Sequence, residues 1–370
     1  MRFDVVVPSL KPELATLRPI LSVSSHREDV EVLFFLVVDN GDPLPEEIVA
    51  LAAARRDVTV IHAGRNEGAG AARNRGIDAG RGDFVLFLDD DVVPREGLID
   101  AYAAAIDRFP EAPGYVGVTQ FPSPDSAFTR GVVASDILTF FDLSAHRPRM
   151  AWGVTANLCL RRIALGERRF SPAFPKGGGG EDIDLCLRMH EDDGEPFISV
   201  PDAVVDHPWW PIGRGSYKRF ARWAFGDGRL PSLHPQHRYF NFPTLPETLL
   251  VAGLLGQLGW VGLRGVHPLR FLIAAFAIEL GVDYVKLRLR GQRISPRTSA
   301  EGTVVRLSND LGRVVGNFSR GRPYALGERF DYFCTGESIA SERRVAGAKL
   351  LVLVGAMTLM RSRVPAHAAT

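Results

Sequence analysis

The chain has 370 residues, enough for one large domain or two with an ample core. Its 44 basic and 43 acidic residues leave a formal charge of +1, so no overall field draws it to nucleic acid or to a membrane. Three cysteines (Cys159, Cys186 and Cys334) are far apart and form neither a metal spacing nor a disulfide framework, which points to a reducing, cytoplasmic setting.

The first apolar run, residues 4–7, is too short for a signal peptide and reads as a buried strand ending at Pro8. Residues 11–24 follow with Leu14, Leu17, Ile20 and Leu21 at helical spacing and Pro12 near the start. Strands are then expected over 30–38, 58–62 and 84–88, alternating with helices over 45–54, 70–80 and 95–109. That alternation implies βαβ units and a doubly wound, mainly parallel α/β sheet. Further strands are expected over 115–120, 157–160 and 197–205, the last interrupted by Pro201, with a helix over 181–191. Past residue 215 the chain turns helical. A basic, aromatic helix is expected over 216–225, and three apolar stretches occupy 248–263, 269–285 and 346–360. Glu279, Asp283, Lys286 and Lys349 break these stretches below the ~20 residues a membrane span needs. They read as helices buried against each other or against a second subunit, with peripheral contact at the inner face of a membrane as the alternative. Two domains follow, 1–215 and 216–370.

The chemistry concentrates where strands end. Residues 84–88 are apolar, and Asp89, Asp90 and Asp91 follow at once. Three adjacent carboxylates repel, and a hard cation such as Mg²⁺ or Mn²⁺ would remove the conflict. The carboxyl ends of strands in an open α/β sheet are also where ligands bind. A solvated acidic turn is the bland alternative. Asp39 ends the second strand on the same edge and could accept hydrogen bonds from a base or ribose, or merely serve the turn Asp39-Asn40-Gly41.

Two glycine-rich segments precede helices. Asn66, Gly68 and Gly70 lie in a turn that could admit an anion at a helix N-terminus, with Arg73 and Arg75 as cationic donors. Gly177 to Gly180 cost conformational entropy, which suggests a loop that moves or lets a ligand approach. Glu181 and Asp182 follow in the first turn of a helix. Asp182 is the candidate general base, kept ionised by that helix terminus, although acidic residues are favoured there anyway. After the last strand come His207, a candidate metal ligand, and Trp209 and Trp210, which could stack on a sugar or simply pack.

In this order the pieces resemble the family-2 glycosyltransferases of GT-A fold over about residues 1–230. The resemblance rests on Val-Val-Val-Pro-Ser at 5–9, Val-Val-Asp-Asn-Gly at 37–41, Asn66-x-Gly68 with Ala-Arg-Asn-x-Gly at 72–76, Leu-Asp-Asp-Asp at 88–91, Gly-Gly-Glu-Asp-Ile-Asp-Leu at 179–185, and His207. It implies that Asp39 and Arg73 hold the base and ribose of a nucleotide-sugar donor, with Pro8, Asn66, Gly68, Asp90 and Glu181 also lining the donor site. Asp89 would lie near the ribose, Asp91 and His207 would hold Mn²⁺ or Mg²⁺, and residues from Trp152 to Asn157 would border the sugar. Asp182 would deprotonate the acceptor hydroxyl, giving inversion, with a UDP-sugar as the favoured donor. The acceptor is left open among a glycan, a lipid-linked glycan and a small natural product, and a homo-oligomer is left open as well. Lys176 departs from the family, which often has an aromatic residue there. Arg-Phe-Ala-Arg-Trp at 219–223 lacks the Gln of processive synthases, so no polymerase is expected.

Two rivals are weaker. A sugar nucleotidyltransferase would carry a glycine-rich loop and a lysine after the first strand, where this chain has Pro8-Ser9-Leu10. A non-catalytic membrane-associated scaffold has no need of the Asp triplet and the Glu-Asp pair.

Overall fold

A computed structural model describes residues 1–210, 216–257 and 266–362. It resolves into two compact units, the first built from Met1–Pro124 and the chain from Ile137 onward, the second from Asp125–Asp136 and the chain beyond the described residue 210. The body expected over 1–215 thus gives up Asp125–Asp136 to the helical unit.

The first unit runs β1 (Arg2–Ser9), α1 (Leu14–Leu21), β2 (Glu31–Val38), α2 (Glu46–Ala54), β3 (Val58–His62), α3 (Ala69–Ala79), β4 (Phe84–Leu88), β5 (Val93–Pro94), α4 (Leu98–Arg108) and β6 (Gly114–Gln120). After α5 (Ala127–Ala134) of the second unit it resumes with α6 (Thr139–Asp142), β7 (Arg149–Met150), β8 (Asn157–Arg161), α7 (Arg162–Leu165), α8 (Glu181–Asp193) and β9 (Phe197–Asp206). The strands form one sheet in the order β3-β2-β1-β4-β8-β6-β9-β5, with β7 beside β9. β1, β2, β3, β4, β6 and β9 run one way and β5, β7 and β8 the other, which makes the sheet mostly parallel with a mixed half. Pro201, which seemed to interrupt β9, falls where the β6–β9 register skips from Val116↔Ser199 to Val118↔Val204, so no ladder bond is asked of it.

The sheet is covered on both faces because its strands are apolar on both. Phe3, Val5 and Val7 of β1 join one core with Leu17 and Ile20 of α1 and Ile99, Tyr102 and Ile106 of α4. Val6 points the other way, against α3, where a Cβ on Gly76 would stand 2.4 Å from its Cγ1. Strand direction then decides where the polar ends collect. β1, β2, β4, β6 and β9 finish at one edge, and the antiparallel β8 begins there, since Leu88 pairs with Asn157.

The second unit adds α9 (Tyr217–Asp227), α10 (Leu230–Leu233), β10 (Arg238–Phe240), α11 (Leu245–Gln257), α12 (Pro268–Leu289), α13 (Pro296–Ser319), β11 (Glu328–Phe330) and α14 (Ile339–Ser362). The three apolar stretches are helical where described; residues 258–263 of the first lie outside the described residues. α11, α12 and α14 share a small core of Leu245, Phe271, Ala275 and Leu353. α13 passes through the unit with its backbone against two neighbours. A Cβ on Gly312 would stand 1.9 Å from Ala221 O of α9, and one on Gly302 would stand 2.9 Å from Gly131 O of α5. Glu279, Asp283 and Lys349, which break the apolar stretches in sequence, meet inside the unit: Lys349 Nζ lies 2.6 Å from a carboxylate oxygen of each acid. No described helix is long and apolar enough to cross a membrane.

Candidate active site

The Asp triplet is split by a turn that sends its three carboxylates to three partners. Asp90 turns inward and accepts a hydrogen bond from Ser9 Oγ at the end of β1. Burial, then Asp91 and Asp89 beside it, push its carboxyl up to about 6 despite that bond. Asp89 accepts from Arg73 Nη2 at 2.9 Å. Asp91 approaches His207, with Nε2 3.5 Å from its Oδ1. The sheet register brings those two together. Val93 of β5 pairs with Asp206 of β9, so the residues just before Val93 run alongside those just after Asp206.

His207 is 2% exposed and fixed on every side. Its backbone N–H donates to Gln120 O at 2.7 Å, and its ring stacks on Phe121 at 5.1 Å between centroids. Nδ1 lies 2.8 Å from Pro208 O, which can only accept, so Nδ1 carries a proton and Nε2 is the ring atom turned toward Asp91. One ligand atom each from Asp89, Asp91 and His207 lies within 4.8 Å of the others. Two carboxylate oxygens and one imidazole nitrogen suit Mn²⁺ or Mg²⁺ better than a soft ion, and three protein ligands leave coordination positions open.

Arg73 is the hub of the site. The guanidinium is buried, donates to Asp89 and, at 3.4 Å, to Glu181 Oε1, and lies 5.7 Å from the centre of the Phe170 ring. Asn74 next to it exchanges two hydrogen bonds with the Phe170 backbone, each 2.9 Å. The helix that carries Arg73 therefore holds the loop leading to Glu181. Glu181 in turn accepts from Gly179 N at 2.7 Å. Gly178, Gly179 and Gly180 all have positive φ, at 83°, 119° and 88°, a path that L side chains rarely follow. The glycine run thus has a conformational reason for its composition.

Asp182 is half-buried at the start of α8, with Oδ1 accepting from Ile183 N at 2.9 Å. Burial first, and then the neighbouring Glu181 charge, raise its pKa, and Arg73 offsets only part of this. The sequence reading had the helix N-terminus keep this carboxylate ionised. Burial works against the ionised form, so Asp182 is a stronger base than an ordinary aspartate.

Three further residues take places that the sequence did not foresee. Asp39 is 5% exposed, and its two oxygens accept Glu67 N at 2.8 Å and Gly68 N at 2.7 Å, so the carboxylate holds the glycine-rich turn in shape. Lys176, the departure from the family pattern, braces the same turn from above: Nζ donates to Asn66 O at 2.8 Å, and its Cα would stand 2.6 Å from a Cβ on Gly68. Asn157, expected at the donor, is fully buried. Its amide donates to Val118 O and Ala203 O at 3.0 and 2.9 Å and accepts from Tyr102 Oη at 2.8 Å. Both amide hydrogens and one lone pair of the oxygen are thus taken up in joining β6, β8, β9 and α4. Trp152 is 5% exposed and stacks on Phe140 with centroids 4.6 Å apart. Pro8 is half-buried in the β1–β2 register opposite Val37. Ser9 enters the sequence motifs without a role of its own, and Phe170 enters none; a serine directly after Pro8 at a strand end was the available signal for the first.

Residues 4–132 match the sequence model described as Glycosyl transferase family 2. The pre-mycofactocin glycosyltransferase of Mycobacterium tuberculosis is 42% identical over 178 residues, covering 46% of this chain and 37% of that protein. The succinoglycan biosynthesis protein ExoW of Rhizobium meliloti is 36% identical over 106 residues, covering 27% of this chain and 33% of that protein. The matches thus span about a third of these curated relatives. Among solved structures, the mannosyltransferase PcManGT of Pyrobaculum calidifontis, in complex with GDP-Man and Mn²⁺, has a TM-score of 0.44 at 15% identity, covering 98% of this chain and 87% of that one. TarS 1-349 of S. aureus scores 0.43 at 15% identity, covering 92% of each chain. The segment that matches the family-2 glycosyltransferase model runs from β1 through the Arg73 helix and the Asp triplet, and so includes much of the site described above.

Proposed function

We propose that the chain transfers a sugar, with inversion and with the help of a divalent cation, from a nucleotide-sugar donor to an acceptor hydroxyl. The observation that carries the reading is the convergence of Asp89, Asp91 and His207 within 4.8 Å at the edge where β1, β2 and β4 end. Asp91 and His207, with Asp89, would hold Mn²⁺ or Mg²⁺. Bound there, the cation supplies charge neutralisation for a diphosphate leaving group. Arg73 keeps Asp89 and Glu181 in place from beneath, and Asp39 keeps the Gly68 turn open for the nucleotide. Asp182 takes the proton of the acceptor hydroxyl as its oxygen attacks the anomeric carbon from the face opposite the leaving group. Its raised pKa makes that transfer more favourable than at an unperturbed aspartate.

A UDP-sugar is the favoured donor. The named relatives give the acceptors to try first, pre-mycofactocin and an intermediate of succinoglycan biosynthesis. Thermal unfolding with UDP-, GDP- and dTDP-sugars tests the donor, since a ligand of the folded state raises the melting temperature by mass action. One donor should raise it only when Mn²⁺ or Mg²⁺ is present, and Asp91→Asn should abolish the rise. A rise that persists undiminished in Asp91→Asn defeats the metal assignment, and no rise with any sugar nucleotide defeats the donor class.

A further inference from the structure

Two helices of the second unit, α12 and α14, are apolar on two faces. α11, α12 and α14 bury one face against each other. On α12, Leu269, Ile273, Phe276 and Leu280 recur at intervals of four and three and remain exposed, Ile273 at 60%. On α14, Leu351 and Val352 are 75% and 52% exposed. A helix apolar all round is covered somewhere, and apolar patches of this extent are rare on soluble monomers.

Basic residues dominate the exposed charge on these helices. Every acidic residue on the three helices is engaged within the unit: Glu247 with Arg329, Glu279 and Asp283 with Arg306 and Lys349, and Glu342 with Tyr239. Outward, Arg270 and Arg288 stand exposed near the two ends of α12, and Arg344 stands exposed near the start of α14. A two-fold contact between copies would set this face against itself, cation toward cation. A layer of anionic headgroups meets it with the opposite charge, and long basic side chains can reach such a layer from an apolar surface. None of the described helices can span, so the face would lie on a bilayer.

We propose that the exposed face of α12 and α14 docks on an anionic phospholipid surface, its apolar stripe at the acyl boundary and Arg270, Arg288 and Arg344 among the headgroups. The inference does not depend on the reaction assigned to the first unit. The test is sedimentation of the full chain with vesicles of phosphatidylcholine alone and of phosphatidylcholine with phosphatidylglycerol. Binding should require phosphatidylglycerol and weaken with salt. Ile273→Asp with Leu351→Asp should abolish it, and Arg270→Ala with Arg288→Ala should weaken it by about tenfold or more. The arginine pair is fully at the surface, so it keeps the test decisive if the aspartate variant folds poorly. Absence of binding, or equal binding to both vesicles, overturns the proposal. A concentration-dependent dimer that Ile273→Asp splits, with no vesicle binding, assigns the face to a second copy instead.

Discussion

The helical unit and the sheet edge of the first unit treat their carboxylates in opposite ways. In the helical unit, Glu247, Glu279, Asp283 and Asp310 are matched by Arg306, Arg313, Arg329 and Lys349. Burial alone would push Asp283 and Glu247 up, yet Arg306 and Lys349 hold the first below its ordinary value and Arg329 holds the second. At the sheet edge, Asp89, Asp90, Asp91, Glu181 and Asp182 share the Arg73 guanidinium and an imidazole whose Nδ1 proton goes to Pro208 O. There burial wins, and Asp90 and Asp182 are raised. Matched charges serve the fold. An excess of one sign, held in place by the fold at some cost, suits a cation and a proton transfer that come from outside.

The sharpest way to break that contrast is to neutralise Asp182. Removing a general base costs ~10²–10⁴ in rate, so Asp182→Asn should transfer sugar that much more slowly while binding donor normally. The wild-type rate should rise with pH through the raised pKa, because below it the base carries a proton. Stability should move the other way. A carboxyl whose folded pKa lies above its unfolded value of 3.8 loses stability as pH climbs between the two, so Asp182→Asn should melt no lower than wild type at neutral pH. Single-turnover transfer and thermal unfolding on the same samples decide it; wild-type turnover in the variant would end the assignment.

In the helical unit the comparison predicts the reverse, stability without catalysis. Glu247 is 1% exposed and also accepts from Gly327 N at 3.1 Å and Thr244 N at 2.8 Å. Arg329→Met would strand its charge, and breaking such a pair costs about 3–5 kcal/mol. Glu247→Gln added to it should recover much of that. Because the folded pKa of Glu247 lies below its ordinary 4.5, the wild-type contribution is present above that value and lost as pH falls through the folded one. Denaturant unfolding at neutral pH reads the cost. A change under about 1 kcal/mol would show that the pair is loosely held.

Asn157 measures how far the sequence could be read. That Asp39, Asp89, Asp91 and His207 arrive at one edge was legible, because parallel strands finish there and the polar residue after each apolar run follows. What Asn157 does was not legible. It begins a strand antiparallel to β4, and whether its amide faces donor or sheet depends on Val118 and Ala203, 39 and 46 residues away in the chain. The Arg73–Glu181 contact spans 108 residues and gave no local sign either. α13 was missed for a different reason: its stripe is small and polar rather than apolar, and only the Ser295 cap and Pro296 at the first turn announce it. Asn157→Ala should leave two carbonyls short of a donor and Tyr102 Oη with only the backbone carbonyl of residue 157, at 3.2 Å, to accept its proton, at about 1–3 kcal/mol, with donor affinity unchanged. A loss of donor affinity without loss of stability would restore it to the donor site.

The smallest effect concerns Glu181, and it separates a base from the charge that tunes it. Glu181 touches Arg73 and Gly179, and its charge is the second cause of the raised Asp182 pKa. Glu181→Gln keeps an oxygen for Gly179 N–H and removes the charge. The Asp182 carboxylate is then easier to form, its pKa falls, and the acidic limb of the rate profile should move to lower pH. At neutral pH the rate should drop by far less than in Asp182→Asn, since a weaker but fully ionised base remains. The measurement is the pH dependence of single-turnover transfer with saturating donor. A limb that stays where it was would mean that burial alone sets the Asp182 pKa. A neutral-pH loss as large as that of Asp182→Asn would mean that Glu181 carries the proton.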